Sequence, residues 1–166
     1  IYALGKMNLI IHGMDYEYAL GNTLMEPAFA EGQLKKFDYI LMNFPFSLKN
    51  WGSERAEYDL YNRYKYGIPS NSNADMAFIQ HAIASLKEDG KAALIVTHGT
   101  LFRGGADKKI RQALLKEDLI EAIIGLPPNL FFTTNIPVAI LILNKQKSAE
   151  RKGKIQFINA QDHVEK

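Results

Sequence analysis

The chain has no cysteine among its 166 residues, which excludes a disulfide framework and any metal held by thiolates. Its four histidines, His12, His81, His98 and His163, lie too far apart in sequence to make a compact local ligand motif. A metal enzyme is therefore not expected. Long apolar runs are lacking too: none approaches the roughly 20 residues that span a bilayer, and the first residues have neither the basic region nor the small-residue cleavage site of a secretory signal. The expectation is a cytoplasmic protein. Charge of one sign is also scarce, since 20 Lys and Arg against 18 Asp and Glu leave a formal +2. That balance gives no electrostatic argument for nucleic acid or for an anionic membrane. Internal repeats and low-complexity linkers are absent. What remains, 47% hydrophobic and 23% charged residues, suits one core and a single domain over residues 1–166.

Periodicity supplies the elements. Leu4, Met7, Asn8 and Ile11 recur at helical spacing before Gly13, so the numbering opens inside a helix, as it would in a piece of a longer polypeptide. The nearly unbroken apolar run Phe37 to Met42 predicts a strand buried on both faces. Phe78, Ile79, Ala82, Ile83 and Leu86 form one stripe of a helix over Asn73 to Glu88, with Ser72 and Asp75 spaced as a capping box and Gly90 as its stop. Ala92 to Thr97 reads as a second buried strand, followed by Gly104, Gly105 and a helix from Ala106 to Lys116. Leu119 to Leu126 and Val138 to Leu143 are joined by a link too short for a helical crossover, which predicts an antiparallel pair. Lys154 to Ala160 adds a final strand, and Lys145 to Lys154 reads as a solvated, charged turn with no role of its own. The fold class is α/β: a mainly parallel, helix-covered sheet with an antiparallel edge. Ligands of such sheets bind at the carboxyl ends of the strands, here the loops that begin at Asn43, His98 and Pro127.

Asn43, Phe44, Pro45 and Phe46 directly follow the first of these strands and resemble the N-P-P-F motif of adenine-N6 methyltransferases. The chemistry accounts for the residue types. The exocyclic amine of adenine is a weak nucleophile because its lone pair is delocalised into the ring, so a site must accept hydrogen bonds from it as it becomes tetrahedral. The side-chain oxygen of Asn43 and the backbone carbonyl of Phe44 can do so. A base must also leave the duplex to meet a methyl donor, and an aromatic face, here Phe46, replaces part of the lost stacking. A methyl on a sulfonium leaves readily, so positioning supplies much of the remaining acceleration without a metal. From the four residues alone, an ordinary turn with Phe46 capping a core is the alternative.

The resemblance extends along the chain to the modification subunits of type I restriction-modification systems. It rests on M-N-L-I-I-H-G from Met7, G-N-T-L from Gly21, F-D-Y-I-L-M-N-F-P-F-S from Phe37, N-A-D-M-A-F-I-Q-H from Asn73, G-T-L-F-R-G-G from Gly99 and I-G-L-P-P-N-L-F-F-T-T-N-I-P from Ile124. It implies a Rossmann-like fold that uses S-adenosylmethionine, here without its N-terminal strands, and that works on DNA with a specificity subunit and, in some assemblies, a restriction subunit. It places Asn22, Asn43 and Pro45 beside the donor, Asn22 at the donor's adenine; a turn stabilised by Asn22 is the alternative. Phe44 departs from the family's proline, which adds bulk next to the amine site. The glycine-rich donor loop and the acidic residue for the donor's ribose lie upstream of Ile1 in the family. Two other functions are consistent with these residues: N5-methylation of a protein glutamine, and a truncated assembly fragment without turnover.

Three further features have two readings each. The stretch with Trp51, Tyr58, Tyr61, Tyr64 and Tyr66, interleaved with Lys49, Arg55, Arg63 and Lys65, is either a DNA-facing lid or a short helix packed on the sheet. Arg103 beside Gly104 and Gly105 either meets phosphate or opens a helix. His81 and His98 have no orienting carboxylate nearby in sequence and are read as structural.

Overall fold

In a computed structural model of the chain, residues 2–131 and 135–162 are described. Parts of two sequence readings, Phe132 to Thr134 in the last motif and His163, lie outside them. Helix α1 covers Tyr2–Ile11, and a small hairpin pairs β1 (Ala30–Glu31) with β2 (Gln33–Leu34). The main body follows as β3 (Phe37–Asn43), α2 (Asp75–Ser85), β4 (Leu86–Thr97), α3 (His98–Phe102), α4 (Gly105–Lys116), β5 (Ile120–Gly125), β6 (Val138–Asn144) and β7 (Gln156–Asn159). No helix among the described residues is long and apolar enough to cross a membrane.

The five-stranded sheet has the order β3-β4-β6-β5-β7. β3 and β4 are parallel, β5 and β7 are parallel, and β6 is antiparallel to both of its neighbours. The sheet is thus mainly parallel and β5 and β6 pair antiparallel as expected, but the reversed strand is interior. The expected antiparallel edge is corrected accordingly. Only the short link between β5 and β6 constrained that pair, and nothing in sequence spacing said that β6 would lie between β4 and β5.

Side chains of one strand alternate between faces. On β3, Ile40 and Met42 pack against the core, while Tyr39 is 76% and Leu41 86% exposed. The strand expected to be buried on both faces is therefore an edge strand covered on one. The core on the covered side is built from Leu94 and Val96 of β4, Leu141 and Leu143 of β6, Met76, Ile79 and Ile83 of α2, and Ile110 and Leu114 of α4.

Helix α2 is shorter than its apolar stripe. It ends at Ser85, and β4 begins at Leu86, where the backbone turns extended. Gly90 lies inside β4, close against Leu86 and the Phe37 carbonyl, so it admits close strand packing instead of stopping a helix. The expected capping box is absent as well: Ser72 Oγ pairs with Ser70 Oγ, and the Asp75 amide donates to Asn73 Oδ1. In the link after β6, Lys147 is 5% exposed and bridges Asp118 (2.6 Å) and the Lys154 carbonyl. This corrects the reading of that turn as merely solvated, because the lysine pins it to the end of α4.

Candidate active site

The loops that follow β3, β4 and β5 meet at the carboxyl end of the sheet. Asn43, the last residue of β3, falls on the face that carries Tyr39 and Leu41 and is exposed. Phe44 continues the opposite face, that of Ile40 and Met42, and is buried at 5% exposure. Its ring stacks on Phe78 of α2 (5.0 Å between centroids, 13°). The bulk that replaces a proline is thus taken into the core and away from the Asn43 side chain. Pro45 is exposed and Phe46 half-buried. One edge contact joins Phe46 to Phe44 (6.0 Å, 83°) and another joins it to Phe131 in the loop after β5 (6.2 Å, 60°). Phe131 had no role in the sequence reading; its only signal was a place in the last quoted motif.

A second connection runs beneath this loop. Ser47, at φ +54°, directs its N–H to Asp75 Oδ1 (2.8 Å). Asp75 is wholly buried at the start of α2, and its Oδ2 accepts from Thr100 Oγ1 (2.9 Å) and Arg103 Nη1 (3.5 Å). Arg103 also pairs with Asp107 (2.9 Å). It therefore serves the entry of α4, the structural one of its two readings.

Asn22 lies in the loop between α1 and β1. Its Oδ1 accepts from the Leu24 and Met25 amides (3.2 and 3.3 Å), so the turn reading is realised and the side-chain NH2 is what it can offer a ligand. The loop is held by Arg63, only 4% exposed, whose guanidinium donates to the Thr23 and Leu24 carbonyls (2.9 and 2.8 Å) and pairs with Asp59 at 2.6 Å. His81 lies against the same guanidinium (3.4 Å). Burial, and then the Arg63 charge, push His81 down from 6.5 to about 4, so it is neutral at pH 7. Its reading as structural holds.

The aromatic stretch after the site divides between its two readings. Trp51 and Tyr64 are buried with their rings 5.5 Å apart, and a 3-10 helix covers Ser53–Tyr58, whereas Tyr58 is 79% exposed. Between this segment and the Asn22 loop is a cavity of about 750 Å³ lined by Met25, Trp51, Arg55, Tyr58, Tyr61 and Tyr64, among others. The structure draws together Asn43, Phe44, Pro45 and Phe46 at the end of β3 but leaves Asn22 on a separate loop between α1 and β1.

Known proteins resemble the chain along its whole length. The family model for N-6 DNA methylase matches residues 1–166. The type I restriction enzyme MjaVII methylase subunit of Methanocaldococcus jannaschii is 39% identical over 98% of this chain and 29% of its own length. The HindI methylase subunit of Haemophilus influenzae is 36% identical over 96% of this chain and 35% of its own. Among solved structures, the methyltransferase subunit of the type I restriction-modification system from Streptococcus thermophilus superimposes with a TM-score of 0.84 at 36% identity, over 99% of this chain and 35% of that one. The chain thus spans about a third of the length of these relatives. With a family model over its whole length and the motif that carries the resemblance at the mouth of the sheet, the chain belongs to the N-6 DNA methylase family.

Proposed function

We propose that the chain forms part of the catalytic region of an adenine-N6 DNA methyltransferase, the modification subunit of a type I restriction-modification system. The observation that carries this reading is the division of roles within Asn43–Phe46. Asn43 presents its amide on the open face of β3, where its oxygen can accept a hydrogen bond from the adenine amine. The Phe44 ring is taken up by the core, which fixes the backbone whose carbonyl is the second acceptor. Phe46 makes T-shaped contacts with Phe44 and Phe131, is only half-buried, and is the ring that would stack on a base turned out of the duplex.

S-adenosylmethionine supplies a methyl group on a positively charged sulfur, with a neutral thioether as the leaving group. The residues present fit one side of that donor: with the Asn22 oxygen taken by the Leu24 and Met25 amides, its NH2 would suit a ring nitrogen of the donor's adenine, and Asn43 and Pro45 would line its methyl end. Asn43 and the Phe44 carbonyl then orient the substrate amine and stabilise the charge it gains, while the nearby rings exclude water. Hydrogen-bonding groups of this kind contribute about 100- to 1000-fold in rate. DNA, a specificity subunit that selects the sequence and, in some assemblies, a restriction subunit are the partners, in the cytoplasm.

The test is N6-methyladenine in DNA, measured by mass spectrometry. The full-length polypeptide is expressed with its specificity subunit in a host that lacks adenine methylation. Modified adenine is expected with the parent and not with Asn43→Ala, which leaves the core untouched. Retained methylation in Asn43→Ala removes that residue from the mechanism.

A further inference from the structure

We propose that Asp75 is a positioning residue for methyl transfer, holding the Asn43–Phe46 segment in its working conformation; this rests on the function proposed above. Asp75 touches none of the residues assigned to the substrate, yet its carboxylate is where two loops of the site are joined. Oδ1 accepts the Ser47 N–H, one residue past Phe46, and Oδ2 accepts the Thr100 hydroxyl and faces Arg103 in the loop after β4. The Thr100 hydroxyl also lies 3.1 Å from that of Thr97, the last residue of β4. The carboxylate therefore ties the exit of β3 to the exit of β4 through three hydrogen bonds.

The backbone geometry shows why a tie is needed here. Ser47 has φ +54°, a left-handed conformation that costs a residue with a side chain some energy. Nothing in a serine side chain demands that conformation; the buried acceptor that its N–H must reach does. Neighbouring backbone bonds, Ala74 N–H to the Leu48 carbonyl (3.0 Å) and Asn50 N–H to the Asn71 carbonyl (2.8 Å), dock the following residues onto the same helix start. The last fixed point before the substrate-facing residues is thus the Ser47–Asp75 bond. A base and a methyl donor must meet within a fraction of an ångström, and a loop displaced by about 1 Å loses on the order of 100-fold in rate.

Single-turnover methylation of adenine-unmethylated DNA by the full-length polypeptide with its specificity subunit tests this. It reads the rate constant separately from the amplitude, which counts competent sites. Asp75→Asn keeps the size of the side chain but opposes Arg103 with an amide. It is expected to lower the rate constant at least tenfold, with amplitude and S-adenosylmethionine affinity unchanged. Thr100→Val, which removes one of the three bonds, is expected to lower it about threefold. A merely structural Asp75 would reduce the amplitude and leave the rate constant as it is, and that result overturns the proposal. Should Asp75→Asn not fold, an unchanged rate constant in Thr100→Val overturns it. A parent that methylates no adenine overturns the functional reading and this one together, whereas an active parent with an equally fast Asp75→Asn overturns this one alone.

Discussion

Phe44 shows how one side chain can serve the core while its backbone stays in the segment proposed to meet the substrate. Its ring is buried, stacked on Phe78 and edge-on to Phe46, so truncation leaves a cavity that neighbouring rings cannot close. Phe44→Ala is expected to cost about 3–5 kcal/mol in denaturant unfolding. Phe44→Pro, which restores the residue usual in the family, is expected to destabilise for the same reason, since a pyrrolidine cannot fill the space. His81 provides a second residue-scale prediction. Its folded pKa lies near 4 and its unfolded value near 6.5. Between those values the unfolded chain takes up a proton that the folded chain refuses. Stability from this residue is complete above about pH 6.5 and is lost as the pH falls toward 4, by an amount on the order of 3 kcal/mol. Urea midpoints compared at pH 7 and pH 5 should fall for the parent, and His81→Gln should flatten that fall.

At the scale of elements, Arg63 is what holds the Asn22 loop to the segment that follows the site. It neutralises a buried Asp59 and accepts no substitute: its fork reaches Thr23, Leu24 and Asp59 at once. Arg63→Met leaves the Asp59 carboxylate with the residue-63 amide but without its counter-charge, and removes the guanidinium from the Thr23 and Leu24 carbonyls. The expected result is a loss of about 3–5 kcal/mol in stability, together with weaker S-adenosylmethionine binding by calorimetry as the Asn22 loop loosens. Arg63→Lys should recover little of either. Neither Arg63 nor Asp75 was legible as an organiser in the sequence, because each acts across 28 to 40 residues on backbone groups that carry no sequence signature. The strands that end before His98 and Pro127, the helix ending at Lys116 and the antiparallel pairing of β5 with β6 were legible, since hydrophobic period and link length determine them. The extent of α2 was not. Leu86 continues the helical stripe in sequence, but in the fold it pairs with Phe37 as the first residue of β4. The position of Asn43–Phe46 at the end of a strand was legible, while the fate of the Phe44 ring depended on a strand alternation that the nearly unbroken apolar run concealed.

For the 166-residue chain taken by itself, the open side of β3 is the most telling surface. Tyr39 and Leu41 stand exposed on an edge strand, and α1 has no buried residue, with Leu4, Ile10 and Ile11 at least 60% exposed. Apolar edges of this kind pair with other chains. The 166-residue chain alone is expected to associate with rising concentration in sedimentation velocity, and Leu41→Lys with Tyr39→Lys is expected to shift it toward monomer. A monomer at every concentration in the unmodified chain would show that this surface does not drive contact.

The place of β6 has a consequence for how the chain is made. β4 and β5 are consecutive in sequence, yet in the sheet they touch only through β6, whose residues are synthesised later than both. Until Val138–Asn144 has left the ribosome, the loop that bears Phe131 has no fixed relation to the loops after β3 and β4. The β3·β4 pair, complete once Thr97 has emerged, can therefore form before β5 is joined to the sheet, and the loops after β3, β4 and β5 are brought together only by the insertion of β6.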